Sequence, residues 1–211
     1  MDTPVTIFVD NNYTLYVCDR DNHRIMKYLT NETDGIVVAG LTKSPGSNST
    51  QLRSPKGVAV DQTGAIIVAD SNNYRIQRFP LGSIQGITIG QNASTTPLGQ
   101  ARDLRIDVNN VVYITDSEYS RIVKFLPGNT VGIVVAGSAG VGSSPDQFRS
   151  PFGIFVNESK ILYVADKSNH RIQQWMADAP NGTTVAGITG VSGSNLSQLF
   201  APQAVTLDNN G

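Results

Sequence analysis

Hydrophobic and polar positions recur along the chain in one pattern: an apolar run, a polar turn and a second apolar run. Four segments carry this pattern and align without a gap: LYVCDRDNHRIMKY from Leu15, IIVADSNNYRIQRF from Ile66, VYITDSEYSRIVKF from Val112 and LYVADKSNHRIQQW from Leu162. The apolar runs are short and rich in β-branched residues, which favours strands over helices. Their recurrence at a nearly fixed spacing indicates a repeat architecture.

Two further apolar runs flank each segment. The upstream run ends at Asp10, Asp61, Asp107, Asn157 and Asp208, and the downstream run ends at Gly40, Gly90, Gly137 and Gly187. Each copy therefore predicts four antiparallel strands, which we call a, b, c and d. Such a unit has the strand number of one propeller blade.

The predicted fold is an all-β propeller built from four-stranded antiparallel blades. Four complete blades span approximately residues 3–40, 54–90, 101–137 and 150–187, and one extra strand a at 201–211 starts a fifth. That strand has no following b strand to pair with, and closed rings avoid an unpaired edge. We therefore expect the chain to be part of a larger ring.

An Asp and an Arg five residues later occupy equivalent positions in every copy. The pairs are Asp19 and Arg24, Asp70 and Arg75, Asp116 and Arg121, and Asp166 and Arg171. An Arg fork can bind a carboxylate or phosphate of a ligand, so an array of recognition sites is one interpretation. An identical pair beside every b–c turn is more typical of a structural lock, either a turn-fixing hydrogen bond or an ion pair between blades.

These features resemble the NHL repeat. The likeness rests on Ser54-Pro55 and the run GVAVD before strand b, on IVADSNNYRIQRF across the b–c turn, and on the Gly-ended strand d. The resemblance covers essentially the whole chain and implies a propeller, commonly six-bladed, around a central channel. The third copy has Ala101-Arg102-Asp103 where the second and fourth have Pro-x-Gly. The resemblance therefore does not predict the backbone geometry at the start of that blade.

Composition and charge narrow the possible functions. Acidic and basic residues nearly cancel, leaving a net charge of −1, whereas nucleic-acid binding usually needs a basic excess. No run of eighteen apolar residues is present, so these residues predict neither a nucleic-acid partner nor membrane contact. No nucleophile or phosphate-cradling motif appears, so we expect no catalytic residue and no cofactor.

The two histidines, His23 and His170, raise the possibility of a zinc site. They precede the repeat Arg in their copies, in a position that holds Tyr74 and Ser120 in the other two. A position that accepts Tyr and Ser is typical of a turn, and a catalytic zinc site usually has three protein ligands. We therefore expect no metal at the histidines.

Aspartate and cysteine are two further residue types with possible chemical roles. The aspartates Asp10, Asp61, Asp107 and Asp208 share one position, so a calcium site is conceivable if they point into the channel, although turn initiation already explains them. Cys18 aligns with small residues of strand b and is expected to fill core space.

Asn-x-Ser/Thr sequons are more frequent than composition predicts. They occur at Asn12, Asn31, Asn48, Asn92, Asn157, Asn181 and Asn195. All seven fall in predicted turns or loops, where an N-glycan can be accommodated. They favour an extracellular or ectodomain location, with a cytoplasmic location as the alternative.

Strand alternation places the b–c turns and the d–a loops on one face, which we call the loop face. Its four loops span 41–54, 91–100, 138–150 and 188–201. Loops on a rigid scaffold are frequent recognition sites, so the predicted function is a non-catalytic scaffold for a protein or glycan. The loop at 138–150 carries no sequon and is expected to contribute most to binding.

Two alternatives come from other classes of protein. A channel-site enzyme similar to the peptide-amidating lyases would need three zinc-binding histidines by that resemblance, and the chain has two. A cytosolic adaptor, in which an NHL propeller follows a ubiquitin-ligase module, would bind a protein or RNA.

Overall fold

The computed structural model describes residues 1–93 and 96–208, with the backbone alone at 92, 93 and 96. Blade 1 contains β1 (Pro4–Val9), β2 (Leu15–Asp19), β3 (Arg24–Tyr28) and β4 (Ile36–Gly40), and blade 2 contains β5 (Gly57–Val60), β6 (Ile66–Asp70), β7 (Arg75–Phe79) and β8 (Ile87–Gly90). A small hairpin follows, of β9 (Asn92–Ala93) and β10 (Thr96–Pro97). Blade 3 contains β11 (Ala101–Ile106), β12 (Val112–Asp116), β13 (Arg121–Phe125) and β14 (Val131–Ala136), and blade 4 contains β15 (Pro151–Val156), β16 (Leu162–Asp166), β17 (Arg171–Trp175) and β18 (Thr183–Gly187).

Each blade is an antiparallel sheet with the spatial order a, b, c, d, which confirms the predicted fold class. The b and c strands pair in the same register in all four, so each repeat Asp lies opposite its own repeat Arg. The sheet of blade 3 is wider than predicted, because β9 pairs in parallel with β14 and carries β10 outside it.

Helical structure is confined to short turns. Single 3₁₀ turns occupy Arg20–Asn22, Ser71–Asn73 and Lys167–Asn169, between strands b and c. Within the described ranges, no helix is long and apolar enough to cross a membrane.

The hydrophobic core lies between blades, in three clusters. Phe79 and Leu52 belong to the cluster between blades 1 and 2, Phe125 to that between blades 2 and 3, and Trp175 with Phe148 to that between blades 3 and 4. Each blade therefore buries its faces against its neighbours, as expected of a repeat protein. The a strands of neighbouring blades also contact each other, and β5, β11 and β15 lie side by side.

The extra strand predicted at 201–211 is not formed in the part that the structure describes. Residues 202–208 have no strand assignment, although Gln203 and Ala204 lie beside Gly153 of β15. A strand needs a hydrogen-bonded neighbour, and the sheets that the structure describes do not include this segment. Residues 209–211 of the prediction lie outside the described residues.

At the start of blade 3, Asp103 stands where the second and fourth copies have glycine, and its carboxylate has a structural role. Asp103 is buried, and its Oδ2 accepts a 3.1 Å hydrogen bond from the Ile154 N–H of the next blade. Its Oδ1 accepts from the Leu104 N–H and from Arg105 Nη1, at 2.8 and 2.9 Å. The departure from Pro-x-Gly therefore adds a link between blades 3 and 4.

In three of the four blades, the glycine at the end of strand d has a left-handed backbone. Gly40, Gly137 and Gly187 have φ values of 81°, 78° and 84°, in the left-handed region that disfavours residues with a Cβ. A Cβ at Gly137 would also meet the backbone carbonyl oxygen of Ser120, in the b–c turn. The close approach of strand d to that turn thus requires glycine.

We expect Gly137→Ala to destabilise the protein by about 3 kcal/mol, because a left-handed backbone and a clash with a carbonyl add together. Gly128→Ala is the matched control, since Gly128 has the same φ of 78° but nothing within 4 Å of its Cβ position. This control should cost only about 1 kcal/mol. Urea unfolding of both variants measures the difference, and equal losses would contradict the steric explanation.

Candidate functional site

The loop face is held together by hydrogen bonds between b–c turns and d–a loops. In blade 2 the Asn72 N–H donates to the Arg53 carbonyl at 3.1 Å, and in blade 4 the Ser168 N–H donates to the Arg149 carbonyl at 3.1 Å. These bonds join each b–c turn to the loop that leads into its own blade. The turns and loops therefore form one surface, as strand alternation predicts.

The repeat aspartates lie beneath this surface and are fully buried. Asp70 is typical: it accepts hydrogen bonds from Arg75 Nε at 2.7 Å, Asn73 Nδ2 at 2.8 Å and the Arg53 N–H at 2.6 Å. The backbone donor comes from the preceding d–a loop, so the carboxylate joins strand b, the b–c turn and that loop.

Burial and hydrogen bonding have opposite effects on the pKa of these carboxyls. Burial raises the pKa of Asp70, Asp116 and Asp166 above the ordinary range and outweighs their hydrogen bonds. At Asp19 burial acts in the same direction, but hydrogen bonds from the Asp2 N–H, Arg24 and Asn22 outweigh it and lower the pKa. Ion pairs buried in this way are costly to break, because the remaining charge stays out of water.

The repeat arginines extend the same network to the loop backbone. Arg75 donates from Nη1 to the Ser47 carbonyl at 2.7 Å, and from Nη2 to the carbonyls of Asn48 and Gln51 at 3.1 and 3.0 Å. Arg171 makes the equivalent bonds to the carbonyls of Ser143, Ser144 and Gln147. These guanidinium groups hold the chain's own loops, which favours the structural interpretation over a ligand array.

Three of the four d–a loops share one conformation, which the sequence analysis missed. Leu52, Phe148 and Leu199 accept hydrogen bonds at their carbonyls from Gly46, Gly142 and Gly193. The signal was present as a second repeat, GSNSTQLRSP, GSSPDQFRSP and GSNLSQLFAP. The fourth loop, at 91–100, lacks this motif and instead contains the β9–β10 hairpin.

The histidines serve as hydrogen-bond acceptors within the fold. His23 Nδ1 accepts the Ser54 N–H at 3.2 Å, and His170 Nδ1 accepts the Ala201 N–H at 3.1 Å, so each holds the start of the following copy. His23, Tyr74, Ser120 and His170 all have φ between 52° and 58°, which explains why this position behaves as a turn slot.

The other residues considered for chemistry also have structural partners. Asp61 Oδ1 accepts from the N–H groups of Thr63 and Ala65, and Asp10 and Asp107 make equivalent turns. Cys18 is buried, which raises the pKa of its thiol well above the ordinary value. Among the residues that the structure describes, no three His, Cys, Asp or Glu side chains converge on a possible metal position.

Most of the predicted glycosylation sites are accessible. Exposed asparagines with described side chains are Asn12, Asn31, Asn48, Asn181 and Asn195. Asn157 is half-buried, and its Oδ1 accepts the Ile161 N–H at 2.8 Å. The Asn92 side chain and Ser94, which complete the remaining sequon, lie outside the described residues.

A polar cleft of about 450 Å³ opens on the loop face between blades 2, 3 and 4. Its lining includes Gln100, Arg102, Glu118, Phe152 and Lys167. Arg102, Phe152 and Lys167 are functional candidates that the repeat pattern did not indicate. A signal was available, because Lys56, Arg102 and Phe152 occupy equivalent positions at the start of strand a and differ in each of these copies.

Residues 52–79, which contain strands a to c of blade 2, match the family model described as the NHL repeat. This match confirms the resemblance to NHL-repeat proteins. No curated protein matches the sequence.

Solved structures share the propeller fold at low sequence identity. A chain of the nidogen/laminin complex aligns with a TM-score of 0.74 and 20% identity over 99% of this chain and 70% of its own length. A catalytically inactive virginiamycin B lyase from Staphylococcus aureus, crystallised with quinupristin, aligns with a TM-score of 0.64 and 12% identity over 97% of this chain and 59% of its own.

A third solved structure is a structural genomics protein of unknown function from Bacteroides thetaiotaomicron. It aligns with a TM-score of 0.62 and 20% identity over 96% of this chain and 64% of its own length. The chain thus spans less than two thirds of this protein and of the lyase. At these identities the likeness shows the fold alone.

We expect Arg75→Lys to destabilise the protein by about 3 kcal/mol, because lysine keeps the charge but loses three hydrogen bonds to loop carbonyls. Arg24→Lys is the matched control, since Arg24 pairs with Asp19 in the same way but its Nη1 donates to the Thr42 hydroxyl and to no loop carbonyl among the described contacts. The control should cost about 1 kcal/mol. Denaturant unfolding and hydrogen exchange of residues 47–51 test this, and similar losses would show that the loop contacts add little.

Proposed function

We propose that this NHL-repeat propeller is a non-catalytic scaffold that binds a protein partner, with a glycan as the second possibility, through its loop face. The observation that carries the proposal is that the backbone of the d–a loops is fixed while many of their side chains are exposed. Buried Asp and Arg side chains hold the d–a loops by their main chain, while most side chains of the loop at 138–150 remain in solvent. Binding then needs little ordering of the loops, which favours affinity.

Several observations support a protein partner. The propeller fold occurs in the nidogen/laminin complex, a complex between proteins. The loop face also combines polar groups with exposed aromatic side chains, including Tyr74 and Phe200, which are 46% and 77% exposed. Exposed Tyr and Phe are side chains that protein interfaces favour. The net charge of −1 gives no general attraction for nucleic acid.

A non-catalytic role fits the side chains better than a lyase activity. The enzyme likeness is one of fold, at 12% identity. Both histidines use Nδ1 to accept a backbone N–H, and the buried thiol of Cys18 lies in a hydrophobic cluster. A lyase that resembled the peptide-amidating enzymes would need a third histidine, and the sequence contains two.

The extracellular assignment in this proposal rests on the sequons. Five of the seven asparagines are exposed on turns or loops, where a glycan would meet solvent and not the core. Asn48 and Asn195 lie in d–a loops on the loop face, so glycans there would limit access to two loops. The sequon-free loop at 138–150 would remain accessible, and we assign it the main share of partner contacts.

A glycan placed on this loop should block partner binding. Val141→Asn creates an Asn-Gly-Ser sequon in the loop, at a side chain that is 61% exposed. Leu81→Asn creates the same tripeptide on the opposite face, at a side chain that is 75% exposed. With a partner identified by proximity labelling of the wild type in an extracellular matrix, interferometry should show binding lost in the first variant and kept in the second. The reverse pattern would assign binding to the other face.

Secretion from eukaryotic cells should yield protein glycosylated at the exposed sequons. Glycosidase treatment followed by intact-mass measurement counts the occupied sites, and peptide mapping locates them. Asn→Gln at each occupied position provides the control for assignment. Folded, secreted protein without any glycan would remove the support for an extracellular role and favour the cytosolic adaptor.

A further inference from the structure

Three side chains at equivalent positions of neighbouring blades form an arc at the inner edge of the loop face. Lys56, Arg102 and Phe152 are each the second residue in the Pro-x-Gly position of their copies. The strands that carry or follow them, β5, β11 and β15, are the innermost strands and lie side by side. Lys167, the first residue of the b–c turn in blade 4, reaches the same arc. We call Lys56, Arg102 and Lys167 the inner cations.

The inner cations are arranged around the Phe152 ring and neutral hydrogen-bond acceptors. Arg102 Cζ lies 5.5 Å and Lys167 Nζ 4.9 Å from the centroid of Phe152. Arg102 Nε donates to Ser117 Oγ at 3.2 Å, and Lys56 Nζ donates to Gln100 Oε1 at 3.3 Å. The aromatic face holds two positive side chains close together, at distances typical of cation–π contacts.

No carboxylate neutralises the inner cations among the residues that the structure describes. Some arginines elsewhere have carboxylate partners: Arg20 pairs with Asp21 at 2.7 Å and Arg78 with Asp61 at 2.9 Å. The acidic side chain in the cleft is Glu118, whose Oε2 accepts the Gln100 N–H at 3.2 Å and makes no ion pair with the three cations. All three cations are half-buried and border or adjoin the cleft of about 450 Å³.

The electrostatic environment of Lys56 agrees with this arrangement. Partial burial, together with the smaller effects of the charges on Arg102 and Arg20, lowers the pKa of its ammonium group to about 8. Arg102 faces Lys56 from the neighbouring strand a, and Arg20 faces it from the b–c turn of blade 1, where Asp21 is already paired. A negative group in the cleft would relieve this repulsion between like charges.

We propose that the inner cations form a binding site for carboxylates of an acidic peptide segment, presented by the protein partner. The proposal rests on the proposed function for the origin of that segment. Arg102 and Lys167 would bind carboxylate oxygens directly, and Lys56 would add a third positive charge beside them. Phe152 provides an apolar surface for the methylene groups of a Glu side chain.

The size and charge of the site favour a short acidic peptide over a long polyanion. Nucleic acids and sulfated polysaccharides are bound by extended basic surfaces that neutralise many charges. Here Arg102 and Lys167 line one cleft with Glu118, and Lys56 lies beside it through its contact with Gln100, on a chain whose net charge is −1. This arrangement suits one or two carboxylates.

The test is direct binding of a fluorescein-labelled peptide with three Glu residues spaced by Gly, against the same peptide with Gln for Glu. In low-salt buffer at pH 7, we expect saturable anisotropy for the Glu peptide alone. Arg102→Gln and Lys167→Gln should each weaken its binding about tenfold. Lys160→Gln, which removes a charge on the opposite face, should leave the affinity unchanged, and circular dichroism melting confirms that every variant folds.

Lys56 should give peptide affinity a pH dependence that a general effect of charge would not produce. Because a base loses its charge above its pKa, affinity for the Glu peptide should fall as the pH rises from about 7 to about 9.5. Lys56→Arg keeps the charge throughout this range, so its affinity should stay nearly constant. An identical pH dependence in both proteins would exclude Lys56 from the site.

The remaining outcomes decide between this inference and the proposed function. No saturable binding of the Glu peptide would overturn the inference. Tighter binding of heparin or single-stranded DNA, lost in the same Gln variants, would overturn its assignment to an acidic peptide. If the peptide binds but Val141→Asn glycosylation leaves partner binding intact, the carboxylate site stands and the main role proposed for the loop at 138–150 does not. If partner binding is blocked but the peptide does not bind, the reverse holds.

Discussion

The buried ion pair between the repeat Asp and Arg is the interaction on which the loop face depends. One carboxylate accepts from strand c, from the b–c turn and from the loop that leads into its blade, as the three bonds of Asp70 illustrate. Burying this charge is unfavourable and raises its pKa, so the pair is not simply a source of stability. Its structural effect is to join segments far apart in the sequence, because the loop carbonyls that bind Arg75 lie 24 to 28 residues before it.

The sequence predicted the architecture because each level of the pattern agrees with the others. The positions of strands a to d follow from short β-branched runs, and their order follows from the repeat. The final glycine of strand d was visible as a pattern, but its cause was not, since the carbonyl of Ser120 approaches Gly137 only in three dimensions. The structure assigns no strand to residues 202–208, because hydrogen-bond partners decide whether an apolar run becomes a strand.

The candidate site was less visible in the sequence than the fold. The repeat positions Asp70 and Arg75 attract notice because they recur, yet they are committed to the fold. The residues available to a ligand are those at which copies differ, such as Lys56, Arg102 and Phe152 at one position of strand a. Their proximity depends on the contact between neighbouring a strands, which lie 46 or more residues apart in the sequence. A comparison of copies for variation, made after the repeat is aligned, finds such positions.

Six of the seven hydrogen bonds from the Nη atoms of Arg75 and Arg171 go to loop carbonyl oxygens, and the seventh goes from Arg171 Nη1 to the Thr189 hydroxyl. Every amino acid has the same main-chain carbonyl, so these hydrogen bonds do not depend on which residues occupy the loop positions. Substitutions at positions such as Ser143 and Ser144 can therefore change the chemistry of the surface without loosening the loop. The fold thus fixes the path of these loops without fixing their sequence, so the side chains on the loop face can change while the scaffold stays constant.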